Sequence, residues 1–195
     1  MAKNQFNRDF DEVKRDGMAL QYVKEQSAEI CMEAVRQNGM ALQFVEEQTA
    51  EICMAAVQQR GYALRYVKEQ DPEICMEAVR QDGNALGYVQ EQSPEICMEA
   101  VRQKGDALAY VKEQTPEICM EAVHQKGDAL AFVKEQTPEI CTAAVRQNSN
   151  AMEYVQPQFR DEVREASKEL NRWDAAIEEA LEAAETPEPE LEMEM

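Results

Sequence analysis

The chain has 195 residues, 44% of them apolar, with only 7 Gly and 7 Pro, enough to bury a core of ordinary composition. Lys and Arg total 20 against 39 Asp and Glu, a formal net charge of -19. That balance argues against direct binding of nucleic acid or anionic membranes, which both need a basic face, and favours a basic or polar protein partner.

The first residues, Met1 to Asp11, hold no apolar signal core, and no stretch approaches the roughly 18 apolar residues of a membrane span. A cytoplasmic location without membrane attachment is therefore expected. Residues 1–17 read as an N-terminal capping half-repeat. Val13 stands where later units carry Val35, but Arg8 replaces the isoleucine and Asp9 the cysteine.

Residues 18–155 are tandem repeats. The string Ala-Leu-x-(Tyr/Phe)-Val begins at Ala19, Ala41, Ala63, Ala85, Ala107, Ala129 and, with Met152 for Leu, Ala151. Every step is 22 residues. Cys31, Cys53, Cys75, Cys97, Cys119 and Cys141 keep the same step, as do Gly17 through Gly127, with Ser149 in the last glycine position. A fixed period of this kind is the signature of a solenoid.

One unit reads as two helices. Thr115 is an N-cap, Pro116 suits the first turn and Glu117 the positive helix end. Ile118, Cys119, Ala122 and Val123 share one face. Gly127 is expected at the left-handed C′ position, and Asp128 as the cap of a second helix with Ala129, Leu130 and Val133 on its inner face. Each helix is too short to be stable alone in water, so stability must come from stacking. At a helix spacing of about 8–10 Å, the array would run on the order of 60 Å.

Residues 156–184 read as one longer amphipathic helix. Phe159, Val163, Ala166, Leu170, Trp173, Ile177 and Leu181 recur by threes and fours, and Trp173 is expected to help seal the last repeat. Residues 185–195 are acidic and expected to be disordered. The predicted fold is all-α: an α-solenoid, right- or left-handed, of 22-residue helix-turn-helix repeats with a longer C-terminal capping helix.

The run Glu113-Gln114-Thr115-Pro116-Glu117-Ile118-Cys119, followed by Ala122-Val123-His124-Gln125-Lys126-Gly127-Asp128-Ala129-Leu130-Ala131-Phe132-Val133, resembles the DUF4116-like helical repeats. That family of unknown function occurs in bacteria, phages and giant viruses. The resemblance covers about Val13 to Val155. It implies a helical repeat fold and a binding role, and it brings no catalytic residues to transfer.

The chemistry-bearing residues point to structure first. The six cysteines sit beside the apolar Ile, as small hydrophobes. Cysteines 22 residues apart, with one histidine in the whole chain, match neither zinc-ligand spacing nor a disulfide framework. His124 stands where other units have Arg or Gln. No nucleophile–base pair or glycine-rich phosphate loop is visible. No enzyme activity, cofactor or metal is expected.

The repeated aromatics Tyr22, Phe44, Tyr66, Tyr88, Tyr110, Phe132 and Tyr154 read as core. Glu25, Glu47, Glu69, Glu91, Glu113 and Glu135 form an acidic ladder that is a candidate binding surface. A second acidic ladder, Glu29 to Glu139, falls at helix starts, and two glutamine ladders, Gln26 to Gln136 and Gln37 to Gln147, suit ties between loops. Positions that vary between units are candidates for specificity: Met40, Tyr62, Asn84, Asp106 and Asp128 after the glycine, and Arg65 three residues on. The expected function is a non-enzymatic repeat scaffold that binds another protein, of the kind a phage or bacterium uses for regulation or inhibition. The alternative is an acidic mimic of nucleic acid that occupies the DNA or RNA site of a basic target. Before Gln156 the chain holds 16 basic and 26 acidic residues, a dilute charge beside one per about 1.7 Å in duplex DNA.

Overall fold

The computed structural model describes residues 2–185. Helix α1 (Ala2–Arg15) is followed by six α-helices of ten residues: α2 (Ala28–Gln37), α3 (Ala50–Gln59), α4 (Pro72–Gln81), α5 (Pro94–Gln103), α6 (Pro116–Gln125) and α7 (Pro138–Gln147). After each of α1 to α7 comes a six-residue 3-10 helix: η1 (Gly17–Tyr22), η2 (Gly39–Phe44), η3 (Gly61–Tyr66), η4 (Gly83–Tyr88), η5 (Gly105–Tyr110), η6 (Gly127–Phe132) and η7 (Ser149–Tyr154). A short η8 (Pro157–Phe159) leads into α8 (Arg160–Glu185). No strand occurs among the described residues.

The α-helices start as their sequence dictates. The hydroxyls of Ser27, Thr49, Ser93, Thr115 and Thr137 accept from the backbone N–H three residues on, and Asp71 accepts from Glu73 N–H. Pro occupies the first turn of α4 to α7, where a missing N–H costs nothing. Each then buries Ile, Cys, Ala and Val on one face, as Ile96, Cys97, Ala100 and Val101 do in α5.

The second element of each unit is not the α-helix expected from the sequence. It is a 3-10 helix, and its buried positions show why. Gly83, Leu86 and Val89 are buried and lie three residues apart, the repeat of a 3-10 helix and not of an α-helix. Val89 N–H then closes the element on Leu86 O at 3.0 Å.

The glycine also differs from expectation. No described residue has positive φ. The helix ends where expected, with the extended Lys126 as its C-cap and Gly127 next, but Gly127 opens the 3-10 helix in place of a left-handed turn. Its requirement is space. A Cβ on Gly127 would lie 2.5 Å from Ala144 O, and one on Gly83 2.5 Å from Ala100 O, in each case on the helix of the next unit. Ser149, the one exception, is exposed, because α8 and not another 22-residue unit follows it. Asp128 caps nothing either. The cap of the 3-10 helix is the residue before the glycine, and Asp16, Asn38, Asp82 and Asn148 each accept from the N–H two residues on.

Neighbours in sequence are neighbours in space. Each α-helix packs on the next, each 3-10 helix on the next, and each α-helix also touches the 3-10 helices before and after it. The result is an α-solenoid with one continuous core and no buried polar or charged residue among the described ones. All six cysteines are free and buried. At the ends, Val13 of α1 and Val163 of α8 are fully buried. The outer half of α8 does not seal the stack as expected. Trp173, Ile177 and Leu181 are 69%, 54% and 61% exposed, because α8 has 26 residues and α7, which it covers, only 10. The tail expected over 185–195 lies, apart from Glu185, outside the described residues.

Candidate functional site

The polar ladders separate into those that hold units together and those that face solvent. Gln92 on the turn after η4 donates from Nε2 to Tyr110 O at 2.9 Å, and its Oε1 accepts from Lys112 N–H at 3.0 Å. Gln48, Gln70, Gln114 and Gln136 repeat both bonds into the following unit. The cysteine thiol lies against the same Oε1, at 3.6 Å for Cys97. The second glutamine ladder ties backwards: Gln37, Gln59 and Gln147 accept from Gly17, Gly39 and Gly127 N–H. Gln81 and Gln125 donate to Gln58 O and Arg102 O of the preceding unit, while Gln103 bonds Glu99 in its own helix, so the first ladder and most of the second are joints between units.

The thiols follow the same logic. Burial pushes all six up from their ordinary value, Cys141 to about 11, so they are poor nucleophiles at neutral pH. The glutamates at the helix starts also have a local role. The backbone N–H of Glu95, Glu117 and Glu139, with the hydroxyls of Ser93, Thr115 and Thr137, holds their carboxyls below the usual range. Among the described residues no three His, Cys, Asp or Glu side chains come together as a metal-holding group, and no helix is long and apolar enough to cross a membrane.

The first acidic ladder is different. Glu25, Glu47, Glu69, Glu91, Glu113 and Glu135 are all exposed, one per unit, on the turns between each 3-10 helix and the next α-helix. The varying positions after the glycine are only half-buried, and their surroundings differ. Asp106 is engaged by Lys126 Nζ at 2.7 Å, and Asp128 by Asn148 Nδ2 at 2.7 Å. Asn84 keeps a buried Oδ1 without a hydrogen-bond partner, and Met40 is half-buried at the second position of η2.

Tyr62 and Arg65 come together as part of a cluster. Three residues apart in η3, they share one face of a 3-10 helix, where positions i and i+3 eclipse. The Arg65 guanidinium lies 5.1 Å from the Tyr66 ring centre and 5.6 Å from that of Tyr88 in η4. Tyr62 meets Tyr88 edge to face at 5.8 Å. Such contacts hold an exposed guanidinium by about 0.5–1 kcal/mol each.

The aromatic ladder, expected as core, is divided: Phe44, Tyr66 and Tyr88 are half-buried and pack against the core, whereas Tyr22, Tyr110, Phe132 and Tyr154 are exposed. None of its seven rings is fully buried. Where Gly87, Ala109 and Ala131 replace the Arg65 position, Tyr110, Phe132 and Tyr154 are exposed, and the Tyr110 ring lies against Gly87. Short 3-10 helices place the residue after each apolar Leu-x pair at the rim, which the α-helical reading conceals.

A second ladder escaped the reading of the sequence. Met32, Met54, Met76, Met98 and Met120 each follow a cysteine and are half-buried on the α-helical side. They line the grooves between successive helices, such as the one of about 550 Å3 holding Met54 and Met76. Their constant one-residue offset from the cysteines is the signal that finds them.

The family model for a domain of unknown function, DUF4116, matches four overlapping stretches: residues 13–49, 27–70, 50–92 and 71–115. The chain belongs to the DUF4116 family. Three of the matches begin at the start of α2, α3 or α4 and run through two 22-residue units, so one DUF4116 domain here is a pair of α and 3-10 units joined by one set of glutamine ties. No curated protein and no solved structure matches the chain.

Proposed function

We propose that this DUF4116 chain is a non-enzymatic scaffold that binds another protein along its 3-10 face. The observation that carries the reading is the Tyr62–Arg65–Tyr66–Tyr88 cluster, continued by the exposed rings of Tyr110, Phe132 and Tyr154. Tyr and Arg anchors dominate the energetics of protein interfaces. Tyr62 and Arg65 lie at positions that differ from unit to unit, beside an aromatic position that repeats as Tyr or Phe in every unit. The exposed ladder from Glu25 to Glu135 supplies an acidic margin, and with a net charge of -19 the partner is a basic protein, steered by charge and anchored by the rings. A phage or bacterial regulatory or inhibitory protein would use such a surface.

The test is capture from host lysate by wild type, Arg65→Glu and Glu91→Ala. Capture of a defined partner that weakens by about tenfold or more for Arg65→Glu, as for an interface anchor, supports the reading. Equal capture by Arg65→Glu removes the cluster from the interface. The second reading, mimicry of nucleic acid, draws on the regular spacing of the exposed glutamates. It predicts that added DNA or RNA displaces the partner and that Glu-ladder changes matter more than Arg65. The lysines and arginines interspersed on the same solenoid weaken that reading.

A further inference from the structure

The exposure of each ring in the aromatic ladder follows the residue that stands just before the ring of the preceding unit. Gln21, Gln43 and Arg65 hold that place for Phe44, Tyr66 and Tyr88, and those three rings are half-buried. Gly87, Ala109 and Ala131 hold it for Tyr110, Phe132 and Tyr154, which are 46%, 40% and 38% exposed. Two of these places show the contact directly. The Arg65 guanidinium lies 5.6 Å from the Tyr88 ring centre, whereas the Tyr110 ring sits 3.0 Å from where a Cβ of Gly87 would stand.

Arg65 shows what such a place accepts. Its guanidinium is 5.1 Å from the Tyr66 ring centre as well, so it contacts the rings of two successive units, each within the roughly 6 Å over which a ring attracts a cation. The equivalent places are at Ala109, between Tyr110 and Phe132, and at Ala131, between Phe132 and Tyr154. There the chain supplies only a methyl group. The charge around them is negative. Lys126 is held by Asp106 at 2.7 Å, while Asp128 accepts from Asn148 Nδ2. Glu153 accepts from the Tyr154 hydroxyl, and that bond, with the charge of Asp128 added, pushes the phenol up from its ordinary value. Two carboxylates bonded to neutral groups therefore flank the last ring.

We propose that the places at Ala109 and Ala131 are seats for two arginine side chains of the partner, each guanidinium lying against a pair of ladder rings as Arg65 does within the chain. The inference rests on the scaffold reading above and names the partner's chemistry: an extended basic segment with arginine at every third residue. Neighbouring seats are one unit apart, about 8–10 Å, and three residues of extended chain span about 10 Å. Arginine fits better than lysine, because a planar guanidinium stacks on aromatic faces and an ammonium is a compact, strongly hydrated charge. The position that varies from Gln and Arg to Gly and Ala then decides which units are closed and which are open to the partner.

The probe is the end-blocked peptide Gly-Arg-Gly-Gly-Arg-Gly, titrated into the full chain at low salt with the ring-proton resonances of Phe132 and Tyr154 as the readout. Both rings should shift and saturate, with a dissociation constant of about 1 mM or tighter. The double variant Ala109→Gln, Ala131→Gln copies the residues at Gln21 and Gln43, keeps the net charge and changes two exposed positions. It should bind the peptide about tenfold more weakly with helix content unchanged by circular dichroism. A peptide with citrulline for arginine, of the same shape without the charge, should weaken by a similar factor. A peptide that moves neither ring at about 5 mM overturns the proposal. So does equal binding by the double variant, which would assign the peptide to carboxylates elsewhere, or equal binding of the citrulline peptide, which would make the seats merely apolar. The assay uses no partner from lysate, so its failure leaves the Arg65-dependent capture, and the scaffold reading with it, untouched.

Discussion

At the scale of single residues, two neighbours with the same repeat have opposite duties. Gln92 spans the joint to the next unit through two hydrogen bonds, while Glu91 beside it faces solvent. Removing a group that satisfies part-buried backbone leaves those partners unsatisfied, at about 1–3 kcal/mol. An exposed side chain without such a contact changes stability by about 0.5 kcal/mol or less. Urea unfolding should therefore show Gln92→Ala clearly weakened and Glu91→Ala close to wild type. Equal effects of the two would mean that the glutamine bonds do not hold the units in solution. The same comparison shows which ladder is free for a partner, because only a residue spared from the frame can be exchanged without loss of the frame.

At the scale of elements, the 3-10 helix sets the close approach of units. Its buried Gly, Leu and Val fall in one line, and the glycine lets the carbonyl of the next α-helix come within the space of a Cβ. Backbone cannot swing aside as a flexible side chain can, so Gly83→Ala must push α5 away from η4. The expected cost is about 1–3 kcal/mol or more, read from denaturant midpoints. Ser149→Ala, at the exposed equivalent position, should stay within about 0.5 kcal/mol. A left-handed cap would predict a different pattern, with Gly83→Asn tolerated better than Gly83→Ala. The glycine has no positive φ and follows an extended Asp82, so Asn has no such advantage here.

At the scale of the whole molecule, the six thiols form one buried row running through the stack. Their folded-state values lie above the ordinary 9.0, to about 11 for Cys141. The unfolded chain therefore ionises first as pH rises. The stability that neutral thiols contribute is complete below about 9 and is lost as pH climbs toward about 11. Thermal midpoints should fall across that window, and a Cys97→Ala, Cys119→Ala chain should show a shallower fall. An unchanged slope in that variant would assign the alkaline loss to other groups, Lys104 and Lys126 among them, whose values are raised by Asp82 and Asp106. Because each unit touches only its neighbours, such small terms add along the row.

Periodicity alone determined the solenoid. A 22-residue step in Ala-Leu, Cys and Gly, with hydroxyl caps and prolines at the helix starts, leaves no other way to bury faces that are too small to stand alone. The inward face of each α-helix and the buried state of the cysteines were legible for the same reason: they depend on spacing within a single short helix. Three features depended on contacts between units and stayed hidden. The α-helical reading of Gly-x-Ala-Leu-x-Tyr failed because Gly83, Leu86 and Val89 are selected by the neighbouring helix, at a period of three. The glycine's role was misread because its constraint is the carbonyl of an alanine in the next unit, Ala100 for Gly83, and not its own φ. The exposure of Tyr110, Phe132 and Tyr154, the seating of Arg65 between the half-buried Tyr66 and Tyr88, and the exposure of Trp173 follow from where one element ends relative to the next, and a sequence pattern records which residues share a face but not how far the neighbouring element extends to cover it.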